Sequence, residues 1–136
     1  MAANVLVDAG FLVALLSQRD AHHGWAIAQS PRLPPPWKTC EAVLSEAFYL
    51  LDAGGGSILT ALLQRRALVC AFHVGAETDE VLKLIGKYAD VPMSFADACL
   101  VRMTETLADP MLLTSDADFR IYRRHGRRTI PCVLPT

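Results

Sequence analysis

The sequence carries no strong charge of either sign, no apolar run long enough to cross a bilayer, and no cysteine pair at a zinc or redox spacing. Each absence excludes a class. A formal net charge of −1 over 136 residues provides no global basic field of the kind many nucleic-acid binders carry. Asp8 and the Gln18-Arg19-Asp20 stretch interrupt the first apolar segment, so no membrane span is expected. The N-terminus lacks the basic region and cleavage site of a signal peptide. Cys40, Cys70, Cys99 and Cys132 all stand in apolar sequence and read as buried free thiols of a reducing compartment. A soluble cytoplasmic protein with no membrane association is the expectation. Common chemical motifs are missing too. Gly54-Gly55-Gly56 is not followed by the Lys-Ser/Thr of a phosphate loop and reads as a hinge or a helix entry. There is no Gly-x-Ser-x-Gly elbow, and His22-His23 reads as a polar helix start rather than a metal pair.

What remains is a chain that is 52% apolar, enough for one core-bearing domain spanning residues 1–136. A domain of this size buries roughly 68% of the surface its unfolded chain exposes. Short β-like runs alternate with helix-like segments. Strands are expected over residues 4–7, 37–39, 67–74, 111–114 and 129–134. Helices are expected over 11–16, 22–29, 40–51, 57–65, 77–88 and 94–107, with a short one over 116–124 closed by Gly126. Thr39 is the expected N-cap of the 40–51 helix. The proline-rich 31–36 segment reads as a loop within the domain. Alternation of this kind predicts a parallel sheet covered on both faces.

Four carboxylates are placed oddly for structural acids. Asp8 follows Val5-Leu6-Val7 and precedes Phe11-Leu12-Val13; an N-cap role and a functional role can coexist there. Glu46 lies in Ala42-Val43-Leu44-Ser45-Glu46-Ala47-Phe48-Tyr49-Leu50-Leu51, which reads as a helix buried nearly all round with no cation one turn away. Asp97 stands at capping-box spacing from Ser94, a sufficient structural reason for it on spacing alone. Asp116 ends the run Met111-Leu112-Leu113-Thr114-Ser115. Asp118 has capping spacing from Ser115 and is close enough to help as an accessory acid. Ligand sites of open parallel sheets lie beyond the carboxyl ends of the strands, so Asp8 and Asp116 should reach one edge. Carboxylates gathered there repel unless a hard cation holds them. A Mg2+ or Mn2+ site, and with it phosphoryl-transfer chemistry, is the expectation. Helix starts near Asp8, Asp97 and Asp116 should keep them ionised.

Charge is uneven at the C-terminal end. Residues 116–136 hold five Arg and two Asp, a local balance of +3. Arg123, Arg124, Arg127 and Arg128 could contact phosphate groups, or simply form a solvated helix end. Arg65 and Arg66 have the same ambiguity.

The ordered set resembles the PIN-domain family. Val7-Asp8-Ala9-Gly10-Phe11-Leu12-Val13-Ala14-Leu15-Leu16 and Asp20-Ala21-His22-His23 resemble its opening. Glu46 in Val43-Leu44-Ser45-Glu46 looks like its second acid, Asp97 in Ser94-Phe95-Ala96-Asp97-Ala98 its third, and Asp116 in Leu113-Thr114-Ser115-Asp116-Ala117-Asp118-Phe119 its fourth. The resemblance covers almost the whole chain.

This resemblance implies a Rossmann-like three-layer α/β/α sandwich with a central parallel sheet. It implies a Mg2+- or Mn2+-dependent endoribonuclease, leaving a 5′-phosphate and a 3′-hydroxyl. The catalytic set would be Asp8, Glu46, Asp97 and Asp116, with Asp8, Asp97 and Asp116 as metal ligands. Many short members are VapC-type toxins restrained by a small antitoxin, and a homodimer is expected through the apolar 40–51 and 57–65 helices. Such members would offer a groove there for an amphipathic partner segment. One departure is Ala9, where the family usually has Thr or Ser after the first Asp. The alternatives are a catalytically weak PIN fold that binds RNA or protein, and another metal-dependent phosphoesterase.

Overall fold

Val5, Leu6 and Val7 are all buried, with no alternation between two faces, as a strand inside a covered parallel sheet requires. They form β1 (Asn4–Val7) at the centre of a five-stranded sheet in a computed structural model that describes residues 2–136. In chain order the following elements are α1 (Ala9–Leu16), α2 (His23–Gln29), β2 (Trp37–Thr39), α3 (Glu41–Leu50), α4 (Ala53–Gln64) and β3 (Leu68–Cys70). Then come α5 (Val74–Lys87), α6 (Phe95–Thr106), β4 (Pro110–Leu113), a 3-10 turn (Ala117–Arg120), β5 (Arg123–Arg124), β6 (Arg128–Thr129) and β7 (Cys132–Val133). Strand order is β3-β2-β1-β4-β7, and every neighbouring pair is parallel. Helices flank the sheet, which makes the three-layer α/β/α sandwich that the alternation implied.

The topology positions the site. The chain steps outward from β1 through β2 to β3, then crosses back to lay β4 on the other side of β1. The β1–β4 register runs from Asn4 opposite Pro110 to Val7 opposite Leu113. Beyond their carboxyl ends lies the switch point where doubly wound sheets open a crevice. Asp8 and Thr114 are the next residues on the two strands. Below them, Phe11 meets Trp25 and Trp37 edge-on at centroid distances of 5.8 and 5.4 Å, which fixes α1 against the sheet.

Several expectations are corrected. Cys40, not Thr39, is the N-cap of α3, and the Thr39 hydroxyl donates instead to the Val7 carbonyl at 2.8 Å. Of the two expectations for Gly54-Gly55-Gly56, hinge or helix entry, the helix entry is the one found. It forms the first turn of α4, started by Asp52, whose side chain accepts from Gly55 N at 2.8 Å. A Cβ on Gly55 would stand 2.9 Å from Leu51 Cδ2, so close helix packing explains at least that glycine. Helix α3 is not buried all round; only Val43 and Ala47 are buried. The 116–124 segment is a single 3-10 turn followed by an antiparallel hairpin, β5–β6, with Gly126 in the hairpin turn. Cys70 is exposed and Cys132 partly so. Among the described residues, no helix is long and apolar enough to cross a membrane.

Candidate functional site

Asp8 has its place because β1 ends where α1 begins. Its Oδ1 accepts from Phe11 N at 2.8 Å and caps the helix. Its Oδ2 accepts the hydroxyl hydrogen of Thr114, the residue after β4. The same Thr114 oxygen accepts from Asp116 N at 2.9 Å. One fully buried threonine therefore ties the first acid to the fourth across the switch point. Asp116 Oδ1 accepts from Asp118 N at 2.9 Å, so Asp116, not Ser115, caps the 3-10 turn.

Asp97 arrives from the start of α6. It forms a reciprocal capping box with Ser94: its backbone N donates to Ser94 Oγ at 3.0 Å, and its Oδ2 faces Ser94 N at 3.4 Å. The structural reading of that spacing was correct, and it does not remove Asp97 from the cleft. Tyr122 adds a second contact by donating its hydroxyl to Asp97 Oδ2 at 3.2 Å.

All four acids line one cleft of about 220 Å3, together with Gly10, Leu50, Leu100 and Ser115. Glu46 enters it from an exposed face of α3. Asp118 does not line the cleft; it lies on the 3-10 turn beside it. Sequence reasoning missed three contributors. Thr114 and Tyr122 orient acids, and Gly10 lets the Ser115 hydroxyl lie against the backbone, where an added Cβ would clash with it and push it aside. The only sequence signal was that Thr114 follows the apolar run Met111-Leu112-Leu113, where a hydroxyl needs a partner; Tyr122, between Ile121 and Arg123, carried none.

The electrostatics depart from expectation. Asp8 is only 7% exposed, and its pKa is pushed up to about 6. Desolvation is the main cause; the Thr114 and Phe11 hydrogen bonds oppose it, and repulsion from Asp97 and Asp116 adds to it. Asp97 is also raised, first by burial and then by Asp116. Helix-start stabilisation is present but loses to burial and like charge. The Tyr122 hydroxyl is held protonated by burial and by the neighbouring acids.

No basic side chain lines the cleft. The donors are hard carboxylate and hydroxyl oxygens, the chemistry that Mg2+ and Mn2+ prefer. Among the described residues, no three His, Cys, Asp or Glu side chains already stand in ligating geometry. A cation here would therefore keep much of its water, as Mg2+ usually does. At about 220 Å3 the cleft falls below the ~300–1,000 Å3 of sites for small organic ligands. It suits an ion with one phosphate group.

The basic residues divide. The Arg123 guanidinium donates to the carbonyls of Arg120, Ile121 and Tyr122, and that of Arg124 to the carbonyl of Thr104. Both serve the hairpin. Arg127 and Arg128 are exposed near its tip.

The PIN domain family model matches residues 5–124. No curated protein matches the sequence. Among solved structures, the chain is similar to VapC20 of Mycobacterium tuberculosis, described as a sarcin–ricin loop cleaving toxin. The two share 22% identity over 85% of this chain and 92% of the other, with a TM-score of 0.74. At that identity the likeness speaks for the fold.

Proposed function

The chain belongs to the PIN-domain family, and on that premise we propose that it is a divalent-metal-dependent endoribonuclease of the VapC toxin type, acting in the cytoplasm. The observation that carries the reading is the shared cleft of Asp8, Glu46, Asp97 and Asp116, with no basic residue in its lining. Asp8, Asp97 and Asp116 would hold the cation. When bound, Mg2+ or Mn2+ supplies Lewis-acid polarisation of the phosphodiester and a more acidic water.

The chain's own residues do the rest. Thr114 fixes the Asp8 carboxylate by one hydrogen bond and the Asp116 backbone by another. Tyr122 and Ser94 hold Asp97 from two sides. Glu46, on the open side of the cleft, is free to accept a proton from the attacking water. Asp118 assists from beside it. Ala9 withholds the usual hydroxyl next to the first Asp, but Thr114 brings one to Asp8 from the neighbouring strand. That contact favours an active site over a binding-only fold.

Helices α3 and α4 support a partner-binding reading. Tyr49 is 87% exposed, and Phe48, Leu50 and Ile58 are 41, 55 and 49% exposed. Leu50 also lines the acid cleft. A homodimer or a small antitoxin covering this strip would bury apolar surface beside the acids.

The test is cleavage of tRNA, a sarcin–ricin hairpin and an unstructured RNA with Mg2+, with Mn2+ and with chelator, beside a phosphomonoester. Metal-dependent cleavage of RNA alone is the expected result. Hydrolysis of the monoester alone would replace the reading with a phosphatase. Co-expression with the adjacent reading frame, followed by light scattering, tests the toxin and dimer assignments.

A further inference from the structure

The β5–β6 hairpin is built with more care than a solvated chain end requires. It is pinned at its base and at its tip. Arg123 N donates to the Tyr88 hydroxyl at 2.8 Å, and the Arg124 side chain reaches the Thr104 carbonyl. At the tip, His125 N donates to Glu105 at 2.7 Å and Lys87 Nζ to the Gly126 carbonyl at 3.1 Å. The turn places His125 at φ 51°, a left-handed conformation that costs a non-glycine residue energy, beside Gly126 at 79°. None of these contacts uses the side chains of Arg127 or Arg128.

Those two side chains, with His125, line an open groove of about 490 Å3. Every ion pair among the described residues lies elsewhere: Lys83 with Glu80, and Arg102 with Glu77 and Glu105. Two exposed guanidiniums on a fixed backbone, without a carboxylate partner, form a site for phosphate oxygens, which guanidinium binds through a planar fork. The family match ends at Arg124, so this tip lies outside the part of the chain that the family model covers.

Its distance from the acids is set by α6. Asp97 stands near the start of that helix, and Glu105, which holds the tip, lies eight residues on. Eight residues of helix span about 12 Å.

We propose that Arg127 and Arg128 form an anchor for the backbone of single-stranded RNA, gripping phosphates outside the acid cleft that makes the cut. The proposal rests on the nuclease reading for where the cut falls, and on the hairpin alone for the binding.

The test is fluorescence anisotropy of a labelled, unstructured RNA in chelator, where nothing is cleaved, over a series of salt concentrations. Each phosphate contact contributes about 0.7 to the slope of log K against log salt for a single strand. R127A/R128A should therefore flatten the slope by about 1.4. R19A/R32A removes the same charge from two exposed positions given no RNA role and should leave the slope unaltered. Thermal melts confirm that both variants fold. A slope unchanged in R127A/R128A, or flattened equally in both variants, overturns the anchor. Failure of the unsubstituted protein to cleave any RNA with Mn2+ overturns the nuclease reading instead. A 1.4 decrease in slope supports the anchor in either case.

Discussion

Helix α6 carries two groups of charges that are treated in opposite ways. Near its C-terminal end, Arg102 lies between two carboxylates, 2.7 Å from Glu77 and 3.2 Å from Glu105. Near its start, Asp97 faces Asp8 and Asp116, and the cleft they share with Glu46 has no cationic side chain in its lining. Where charge serves the fold, the sequence encodes the counter-charge. Where it lines the cleft, it encodes only hydrogen bonds that fix direction, and the repulsion raises the pKa of Asp8 and Asp97. The site is destabilising in isolation, as expected of a site that binds a cation.

Substitutions among the cleft acids and in the Arg102 pair should therefore behave differently. Asp8→Asn and Asp116→Asn should each lower metal-dependent RNA cleavage by at least about 100-fold, at the upper end of losses seen even for groups that only support a metal ligand. Both should remain folded by circular dichroism. A loss of less than tenfold would remove the substituted residue from the metal set.

The second expectation concerns pH without metal. Asp8 titrates near pH 6 in the folded protein against about 3.9 unfolded. Between those values the folded state holds the extra proton, so stability falls as pH rises from about 4 through 6. About two pKa units correspond to roughly 3 kcal/mol. Denaturant melts at pH 4 and pH 7 should show the difference between the chain and its Asp8→Asn variant change by that amount, with the variant favoured at pH 7. A pH-independent difference would contradict the burial argument.

Mn2+ should reverse this. At 100 times its dissociation constant, a bound ion stabilises by about 2.7 kcal/mol. The unsubstituted chain should gain this in a thermal melt, and Asp8→Asn much less. An equal gain in both would mean that the ion binds elsewhere.

The smallest change in cleavage is expected at the paired end. Arg102→Met leaves Glu77 and Glu105 without their partner, with side chains only 24 and 9% exposed. It should cost roughly 1–3 kcal/mol of stability and leave cleavage per folded molecule within about twofold, well under the factor of ten that 1.4 kcal/mol represents. A larger loss of cleavage would mean that the two ends of α6 are coupled.

The contrast also explains what the sequence made legible. Asp8 and Asp116 stood out because each ends an apolar run, and the parallel sheet follows from the same runs. The capping box at Ser94 was readable because it is local. The hairpin was not: Arg123 to Gly126 has the composition of a helix end, and only distant partners (Tyr88, Thr104, Glu105) fold it back. Gly54-Gly55-Gly56 stayed ambiguous for a related reason, since Asp52 and Leu51 make room for glycine in a helix that propensity alone would break. Thr114 escaped notice because its partner Asp8 is assigned by strand register, and register is set by packing at a distance. The raised pKa of Asp8 depends on the same burial.

The β1–β4 pairing also has a consequence in time. Asn4 sits opposite Pro110, a separation of 106 residues. At about 5–20 residues per second, a ribosome needs roughly 5–20 s to make the intervening chain. During that interval β1 can pair only with β2, and its other edge waits for a partner that does not yet exist. Asp8 has neither Thr114 nor Asp116 beside it. No growing fragment short of β4 contains the assembled cleft, so Asp8, Glu46 and Asp97 meet their fourth acid only after the ribosome has passed Asp116.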